Sequence, residues 1–286
     1  MASAGSRINH LPYKKASLPK AYWASLVYHD IFDYPLTKDE LNKWKYGKNT
    51  KAIKGQKALK FGQFYSIAGH PSIERRRARQ KASLRKIKIA ENGAKVLGAL
   101  PFVKMVGITG ALAMQNAQAS SDIDLIIICS SRTLWTTRLI ATFILDILKV
   151  PRRRYGLKDQ KDRLCLNMWL DEEDLSWDKK DRNVYTAHEI CQIVPLVNKK
   201  RTYERLIWEN GWVRGFWPNA PKAPKSKPKF QTSFSPIVVF EPLARKFQLW
   251  YMKGKITREV VSPTRAIFHP FDWGGVVLRK LEERSL

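Results

Sequence analysis

Two carboxylates at the start of an apolar run are the residues of this chain best suited to chemistry. Asp122 and Asp124 flank Ile123, and residues 125–129 that follow are wholly apolar. Because side chains alternate between the two faces of a strand, both carboxylates point the same way, about 7 Å apart along the strand. At that spacing they can hold one or two divalent cations. The sequence therefore predicts a cation site where a buried strand begins.

A glycine turn precedes this strand. The run Val106-Gly107-Ile108-Thr109-Gly110-Ala111 predicts a buried strand that ends in a tight turn and leads into a short helical segment. A turn at Gly110 lets phosphate groups approach backbone N–H groups without a Cβ in the way. The alternative is an ordinary turn glycine, with Asp122 as a cap or at a solvated strand end. Paired like charges beside a buried strand favour the cation site, because they repel unless a metal or a base compensates them.

Together these two motifs resemble the signature of the nucleotidyltransferase superfamily that shares the DNA polymerase β fold. Ile108, Gly110 and the Asp122/Asp124 pair match its apolar, glycine and Asp-apolar-Asp positions, whereas Ala111 stands where the family usually has Ser or Gly. The resemblance implies transfer of a nucleoside monophosphate from an NTP to an acceptor hydroxyl. It implies Asp122 and Asp124 as catalytic ligands of Mg²⁺ or Mn²⁺, and a nucleotide-phosphate site formed by Gly110, Ala111 and Ser121.

Enzymes of this superfamily usually carry a third carboxylate on a neighbouring strand. The strand predicted over residues 163–169 places Asn167 at the matching position, with Asp171 further along the same face. An asparagine offers a cation its carbonyl oxygen but cannot act as a general base. Two functions therefore stay open: a metal-dependent nucleotidyltransferase, and a catalytically degenerate protein of the same fold that binds nucleic acid. A purely structural or protein-interaction module is a third alternative.

The charge of the chain is the outlier in its composition. Lys and Arg number 52 against 25 Asp and Glu, which gives a net charge of +27. Such an excess attracts polyanions, so nucleic acid is the favoured acceptor or partner beside the NTP. The hydrophobic fraction of 44% excludes global disorder. The cysteines, Cys129, Cys165 and Cys191, lie in apolar runs without zinc spacing, which predicts buried free thiols in a reducing compartment.

No segment of the sequence predicts a membrane partner. The N-terminus carries basic residues without a following apolar stretch, so we expect no signal peptide. The longest apolar run outside the strands, residues 139–150, is interrupted by Asp146 and Lys149 and is too short to span a bilayer. We therefore predict a cytoplasmic location, and the sequence does not indicate an oligomeric state.

The N-terminal part predicts a flexible lead over residues 1–18 and a winged-helix-like domain over residues 19–70. The domain's signals are a helix over residues 20–31, a capping box from Thr37 to Glu40 with a second helix over residues 39–44, and a hairpin over residues 60–67. Between them, residues 50–59 predict a third helix that carries Lys51, Lys54 and Lys57 and ends near Lys60. This unit serves either nucleic-acid binding through those lysines or only packing.

The remaining chain predicts an α+β fold around the carboxylate motif. Its parts are a basic connecting helix (71–100), a nucleotidyltransferase-type core of mixed β-sheet flanked by helices (101–175), a helical extension (176–217), a Pro/Lys-rich linker (218–236) and a C-terminal helical subdomain (237–286). The connecting helix predicts a buried stripe of Leu84, Ile87, Ala90, Ala94 and Leu97. In the helix over residues 134–148, we expect an inward face of Trp135, Leu139, Phe143, Ile144 and Ile147.

Overall fold

A computed structural model describes residues 13–48, 58–67, 73–154, 156–157, 159–221, 224–230, 235–254, 259–268 and 272–284. Within these residues the protein is a mixed α+β structure with two sheets, which confirms the predicted class. The strands are β1 (Tyr13–Ala16), β2 (Leu36–Thr37), β3 (Ala58–Phe61), β4 (Phe64–Ser66), β5 (Val103–Ile108), β6 (Ile123–Cys129), β7 (Leu164–Asp171), β8 (Val194–Asn198), β9 (Val260–Val261) and β10 (Arg265–Ile267). The helices are α1 (Lys20–Asp30), α2 (Lys38–Lys43), α3 (Ile73–Ala99), α4 (Gly110–Ala113), α5 (Leu134–Ile147), α6 (Val184–Gln192), α7 (Thr202–Glu209), α8 (Glu241–Met252) and α9 (Trp273–Glu283).

The N-terminal unit contains a small antiparallel sheet in the order β1-β3-β4-β2. Its predicted capping box is confirmed, since the Thr37 hydroxyl accepts from the Glu40 N–H at 3.3 Å and the Glu40 carboxylate accepts from the Thr37 N–H at 2.8 Å. The β3–β4 hairpin is confirmed as well. The flexible lead is wrong for residues 13–16, which pair with β3 while Tyr13 packs on Phe61.

The third helix predicted for this unit falls mostly outside the described residues. Residues 50–57, which include Lys51, Lys54 and Lys57, lie outside the described residues. Ala58, Leu59 and Lys60 lie in strand β3. The winged-helix interpretation therefore stays a prediction.

The large sheet has the order β8-β5-β6-β7-β10-β9, and only the β6–β7 pair is parallel. The three strands predicted for the core are confirmed as β5, β6 and β7. The predicted helical regions at 176–217 and 237–286 need correction, because the first contributes β8 and the second contributes β9 and β10 to this sheet. These strands have two to five residues, too few for a periodic sequence signal.

Both faces of the large sheet are covered. Ile123, Leu125 and Ile127 of β6 pack into an apolar cluster with α3 and α5. Ile126 and Ile128 point the other way, into a cluster built from α1, α6 and α7. Asp122 and Asp124 lie an even number of positions from Ile126 along the chain. Their side chains therefore point to the second face, towards α6.

The N-terminal unit shares its core with the large sheet. His188 of α6 stacks on Trp44 with ring centroids 4.1 Å apart, and its Nε2 lies 3.2 Å from the Nε2 of His29 on α1. The Nδ1 of His29 lies 2.7 Å from the carbonyl oxygen of Ser25. Burial lowers the pKa of His29 to about 4 and that of His188 well below its usual range, so both imidazoles are neutral.

Helix α3 joins the two parts, and its charges are partly buried. Ala90, Ala94 and Leu97 of the predicted stripe are buried, but Leu84 is 53% exposed. Two basic residues of α3 are buried instead and form ion pairs: Arg76 with Glu40 at 2.8 Å and Lys86 with Asp162 at 2.7 Å. Part of the basic character of α3 therefore serves contacts within the molecule.

Helix α5 differs from its predicted orientation. Trp135 is buried, but Leu139, Phe143 and Ile147 are exposed, while Ala141 and Leu145 face the sheet. No helix within the described ranges is long and apolar enough to cross a membrane. The three cysteines are buried free thiols, as predicted.

Candidate functional site

The glycine turn lies directly against the second carboxylate. Strand β5 ends at Ile108, and the backbone N–H of Thr109 donates to the carbonyl oxygen of Asp124 at 3.1 Å. Gly110 has φ +60°, and a Cβ at this position would lie 3.0 Å from Oδ2 of Asp124. Both the left-handed backbone and the close approach require a glycine here.

The parallel neighbour β7 brings Asn167 to the same place. Asp124 pairs with Cys165, and Ile126 pairs with Met168, so β7 holds one extra residue across this interval. The bulge lets the Asn167 amide donate from Nδ2 to Oδ1 of Asp124 at 2.7 Å. The predicted position of Asn167 beside the carboxylates is therefore found in the structure.

The first carboxylate is partly neutralised by a basic residue. Arg153 donates from Nη1 to Oδ2 of Asp122 at 2.9 Å and lies 3.7 Å from Sγ of Cys165. Asp122, Asp124 and Cys165 each place a ligand atom within 4.8 Å of the others. The sequence analysis gave neither Arg153 nor Cys165 a role at the site.

Burial makes the Asp124 carboxyl a weaker acid than an aspartate in solution. Burial raises the pKa of Asp124 to about 6, and the charge of Asp122 acts in the same direction, while Arg153, Cys165 and Asn167 oppose the rise. Burial, with the charges of Asp124 and Asp122, also raises the pKa of the Cys165 thiol, which keeps it protonated. The site therefore lacks positive charge for the carboxylates it contains.

The charge of Asp124 also acts on two residues of helix α6 that the sequence did not indicate. Burial, followed by the charge of Asp124, raises the pKa of Glu189 to about 8, although Gln192 donates to its carboxylate at 2.7 Å. The pKa of Tyr185 is raised by burial and by the charges of Glu189, Asp124 and Asp272. Both residues come from a distant helix, so no local spacing could have linked them to the Asp pair.

Two other predicted residues, Asp171 and Ser121, have different surroundings from those expected. Asp171 lies at the far end of β7, opposite Cys129, and cannot serve as the third carboxylate. The Ser121 hydroxyl precedes Asp122 but donates to the backbone carbonyls of Gln118 and Asp122, at 3.0 and 3.2 Å. Ala111 is exposed in the first turn of α4 and offers only its backbone.

The oxygen donors at this site suit a hard divalent cation. Asp122 and Asp124 provide two carboxylates, and Oδ1 of the buried Asn167 has no hydrogen-bond partner among the described residues. Turning the Asn167 amide over would present Oδ1 where Nδ2 now meets Asp124, because the two ends of an amide have the same shape. The protonated Cys165 is the least suitable ligand for such an ion.

Comparison of the chain with protein-family models, curated proteins and solved structures finds no significant match.

Proposed function

We propose that this protein is a metal-dependent nucleotidyltransferase, which transfers a nucleoside monophosphate from an NTP to an acceptor hydroxyl. The observation that carries the proposal is the close approach of the Gly110 turn to Asp124. Gly110 has φ +60°, and a Cβ at this position would lie 3.0 Å from Oδ2 of the partly buried Asp124, as expected where phosphates and their cation meet a strand end.

In this proposal the site residues bind the cation and the phosphates of the NTP. Asp122, Asp124 and the carbonyl oxygen of Asn167 would hold Mg²⁺ or Mn²⁺, which when bound neutralises the triphosphate. The turn at Gly110 and Ala111 leaves backbone N–H groups accessible to phosphate oxygens. In the transfer, the acceptor oxygen bonds to the α-phosphorus, the α–β phosphoanhydride bond breaks, pyrophosphate leaves, and the hydroxyl proton passes to solvent.

Nucleic acid is the acceptor that the charge of the chain favours. The net charge of +27 attracts a phosphate backbone. Three basic residues of α3, Arg77, Lys81 and Lys88, are exposed and offer one surface for it.

One observation favours a second function, a catalytically degenerate protein that binds nucleic acid. Arg153 pairs with Asp122 at 2.9 Å, and the positive charge of its guanidinium can take the place of a metal ion at this carboxylate. The replacement of a third carboxylate by Asn167 points in the same direction. This alternative expects salt-dependent RNA or DNA binding without turnover of any NTP.

Transfer of label from α-labelled ATP, CTP, GTP and UTP, with Mg²⁺ or Mn²⁺ and total RNA, tests the proposal. The Asp122→Asn/Asp124→Asn variant is assayed in parallel, with Asp178→Asn as a control because Asp178 is exposed elsewhere. Label on RNA with the wild type and the control, and not with the double variant, supports a nucleotidyltransferase. Transfer that persists in the double variant overturns it, and RNA binding without transfer supports the degenerate protein.

A further inference from the structure

Helix α8 presents an apolar outer face. Leu243, Phe247 and Trp250 lie on one side at helical spacing, and Leu243 and Trp250 are 68% and 70% exposed. The opposite side, with Ala244, Gln248 and Met252, is buried. The 3₁₀ turn before α8 continues the apolar surface with the exposed Val239 and Phe240.

Helix α5 packs beside α8 and exposes a second apolar stripe. Arg138 and the carbonyl oxygen of Trp135 on α5 both hydrogen-bond to Gln248 of α8, which fixes the two helices together. Leu139, Phe143 and Ile147 recur every four residues on the outer side of α5, and Phe143 is 65% exposed. We call the six residues Leu139, Phe143, Ile147, Leu243, Phe247 and Trp250 the α5–α8 face.

The charged residues of the same two segments are basic where they are exposed. Lys149 follows α5, Lys246 lies on α8 and Lys253 follows it, and all three are exposed. The two acids of these segments are partly buried and engaged within the molecule. Asp146 accepts from Arg152 at 2.7 Å, and Glu241 accepts from the backbone N–H groups of Trp135 and Thr136 at 2.7 and 2.9 Å.

We infer that the α5–α8 face docks on the surface of a membrane that contains anionic phospholipids. Exposed aromatic and aliphatic side chains on one helix face, with lysines beside them, are typical of helices that lie in the headgroup region. Aromatic rings such as that of Trp250 favour this interface, and lysines are attracted to the negative surface potential. The exposed apolar side chains and the positive charge of the lysines together therefore favour an anionic membrane surface as the partner of this face.

Charge also argues against a second copy of this chain as the occupant. Each copy carries a net charge of +27, so association through a face edged with lysines is opposed by repulsion. The sequence predicted no membrane partner because no segment could span a bilayer. Docking on the surface needs no spanning segment, so the α5–α8 face revises that prediction.

Flotation of the purified full chain with lipid vesicles tests the inference. The vesicles contain phosphatidylcholine alone, or phosphatidylcholine with phosphatidylglycerol. The test variant is Phe247→Ser/Trp250→Ser, and the matched control is Leu84→Ser/Trp208→Ser, which removes two exposed apolar side chains from α3 and α7. Circular dichroism and thermal unfolding establish that each variant is folded, and light scattering reports the oligomeric state.

We expect binding to the phosphatidylglycerol vesicles that weakens with salt, and roughly tenfold weaker binding of the Phe247→Ser/Trp250→Ser variant. The control variant should bind like the wild type. Binding that is equal in both variants would overturn the inference, as would its absence for the wild type. A dimer that only the Phe247→Ser/Trp250→Ser change dissociates, without vesicle binding, would assign the face to a second copy instead.

Discussion

Two acidic groups lie at opposite ends of the parallel pair β6–β7, and their surroundings differ. At the start of the pair, Asp122 and Asp124 share one arginine and one asparagine amide, and Oδ1 of Asn167 has no partner among the described residues. At the end of β7, residues 171–174 are four consecutive acids, and each has a donor. We call them the site group and the loop group.

The loop group is stabilised by donors from the loop before α5 and from β10. Asp171 accepts from the backbone N–H groups of Arg132 and Glu173 at 2.6 and 2.9 Å. Asp174 accepts from Nε and Nη2 of Arg265, each at 2.7 Å. The run with more acids is thus structural, whereas the pair with fewer is the one that we propose binds a cation. Density of charge in a sequence is a poorer guide to a site than the absence of donors around it.

The largest expected difference between the groups is in cation binding. Asp122→Asn/Asp124→Asn should weaken Mn²⁺ binding by roughly 100-fold or more, because it removes both anionic ligands. Glu173→Gln, an exposed change in the loop group, should leave it unchanged. Electron paramagnetic resonance titration of Mn²⁺ measures both. Equal loss in the two variants would remove the distinction between the groups.

The second expected difference is in stability, and here a change in the loop group should have the larger effect. Asp174→Asn should lower the free energy of unfolding by about 2 kcal/mol, because it breaks the bidentate pair with Arg265 and the bond from Thr264. Asp124→Asn should leave that free energy unchanged or raise it at pH 8, because it removes a partly buried charge whose pKa is raised by burial. Urea unfolding at pH 8 without divalent cations compares the variants. A greater loss for Asp124→Asn would contradict this assignment.

The pH dependence of stability sharpens the comparison further. The pKa of Asp124 is raised from 3.8 to about 6, so its contribution to stability is present below pH 3.8 and lost as the pH rises through 6. Burial likewise raises the pKa of Asp171 to about 7, so the loop group also loses stability on that side. At about 1.4 kcal/mol per pKa unit, these losses are on the order of 3 kcal/mol for Asp124 and 4 kcal/mol for Asp171.

Only the site group should recover on addition of a cation. At pH 8, millimolar Mg²⁺ should raise the melting temperature of the wild type, because the ion binds the folded state. The same addition should have no effect on Asp122→Asn/Asp124→Asn. A rise of equal size in both proteins would place the responsible Mg²⁺ site elsewhere.

The smallest expected effect separates backbone strain from contact with Asp124. Gly110→Ala and Gly156→Ala both place alanine at a positive φ, of +60° and +78°, and each should cost about 1 kcal/mol of stability. Only Gly110→Ala brings a Cβ near Oδ2 of Asp124, whereas nothing lies within 4 Å of the Cβ position at Gly156. Gly110→Ala alone should therefore weaken Mn²⁺ binding several-fold. Weakening by both changes would show that contact with Asp124 is not the cause.

Much of the fold could be predicted from local sequence. The capping box at Thr37, the long helix α3 and the strand–turn–strand unit around Gly110 depend on residues within one or two turns of chain. Strands β8 and β10 could not be predicted, because their pairing with β5 and β7 depends on contacts far apart in sequence. The same reason explains why Leu139 and Phe143 were wrongly predicted to be buried. The spacing of apolar residues in α5 does not determine which side of the helix packs on the sheet.

The sequence by itself determined the α+β class, the positions of the Asp122/Asp124 pair and its glycine turn, and the strongly basic charge. These follow from the alternation of side chains along a strand and from a steric requirement at one residue. Only the tertiary structure decided which groups contact those carboxylates: Asn167 through a bulge in β7 and Arg153 from a turn. The charge of Asp124 also raises the pKa of Glu189 on α6. The acidity of these carboxylates depends on burial and on the distances between remote segments, and local spacing encodes neither quantity.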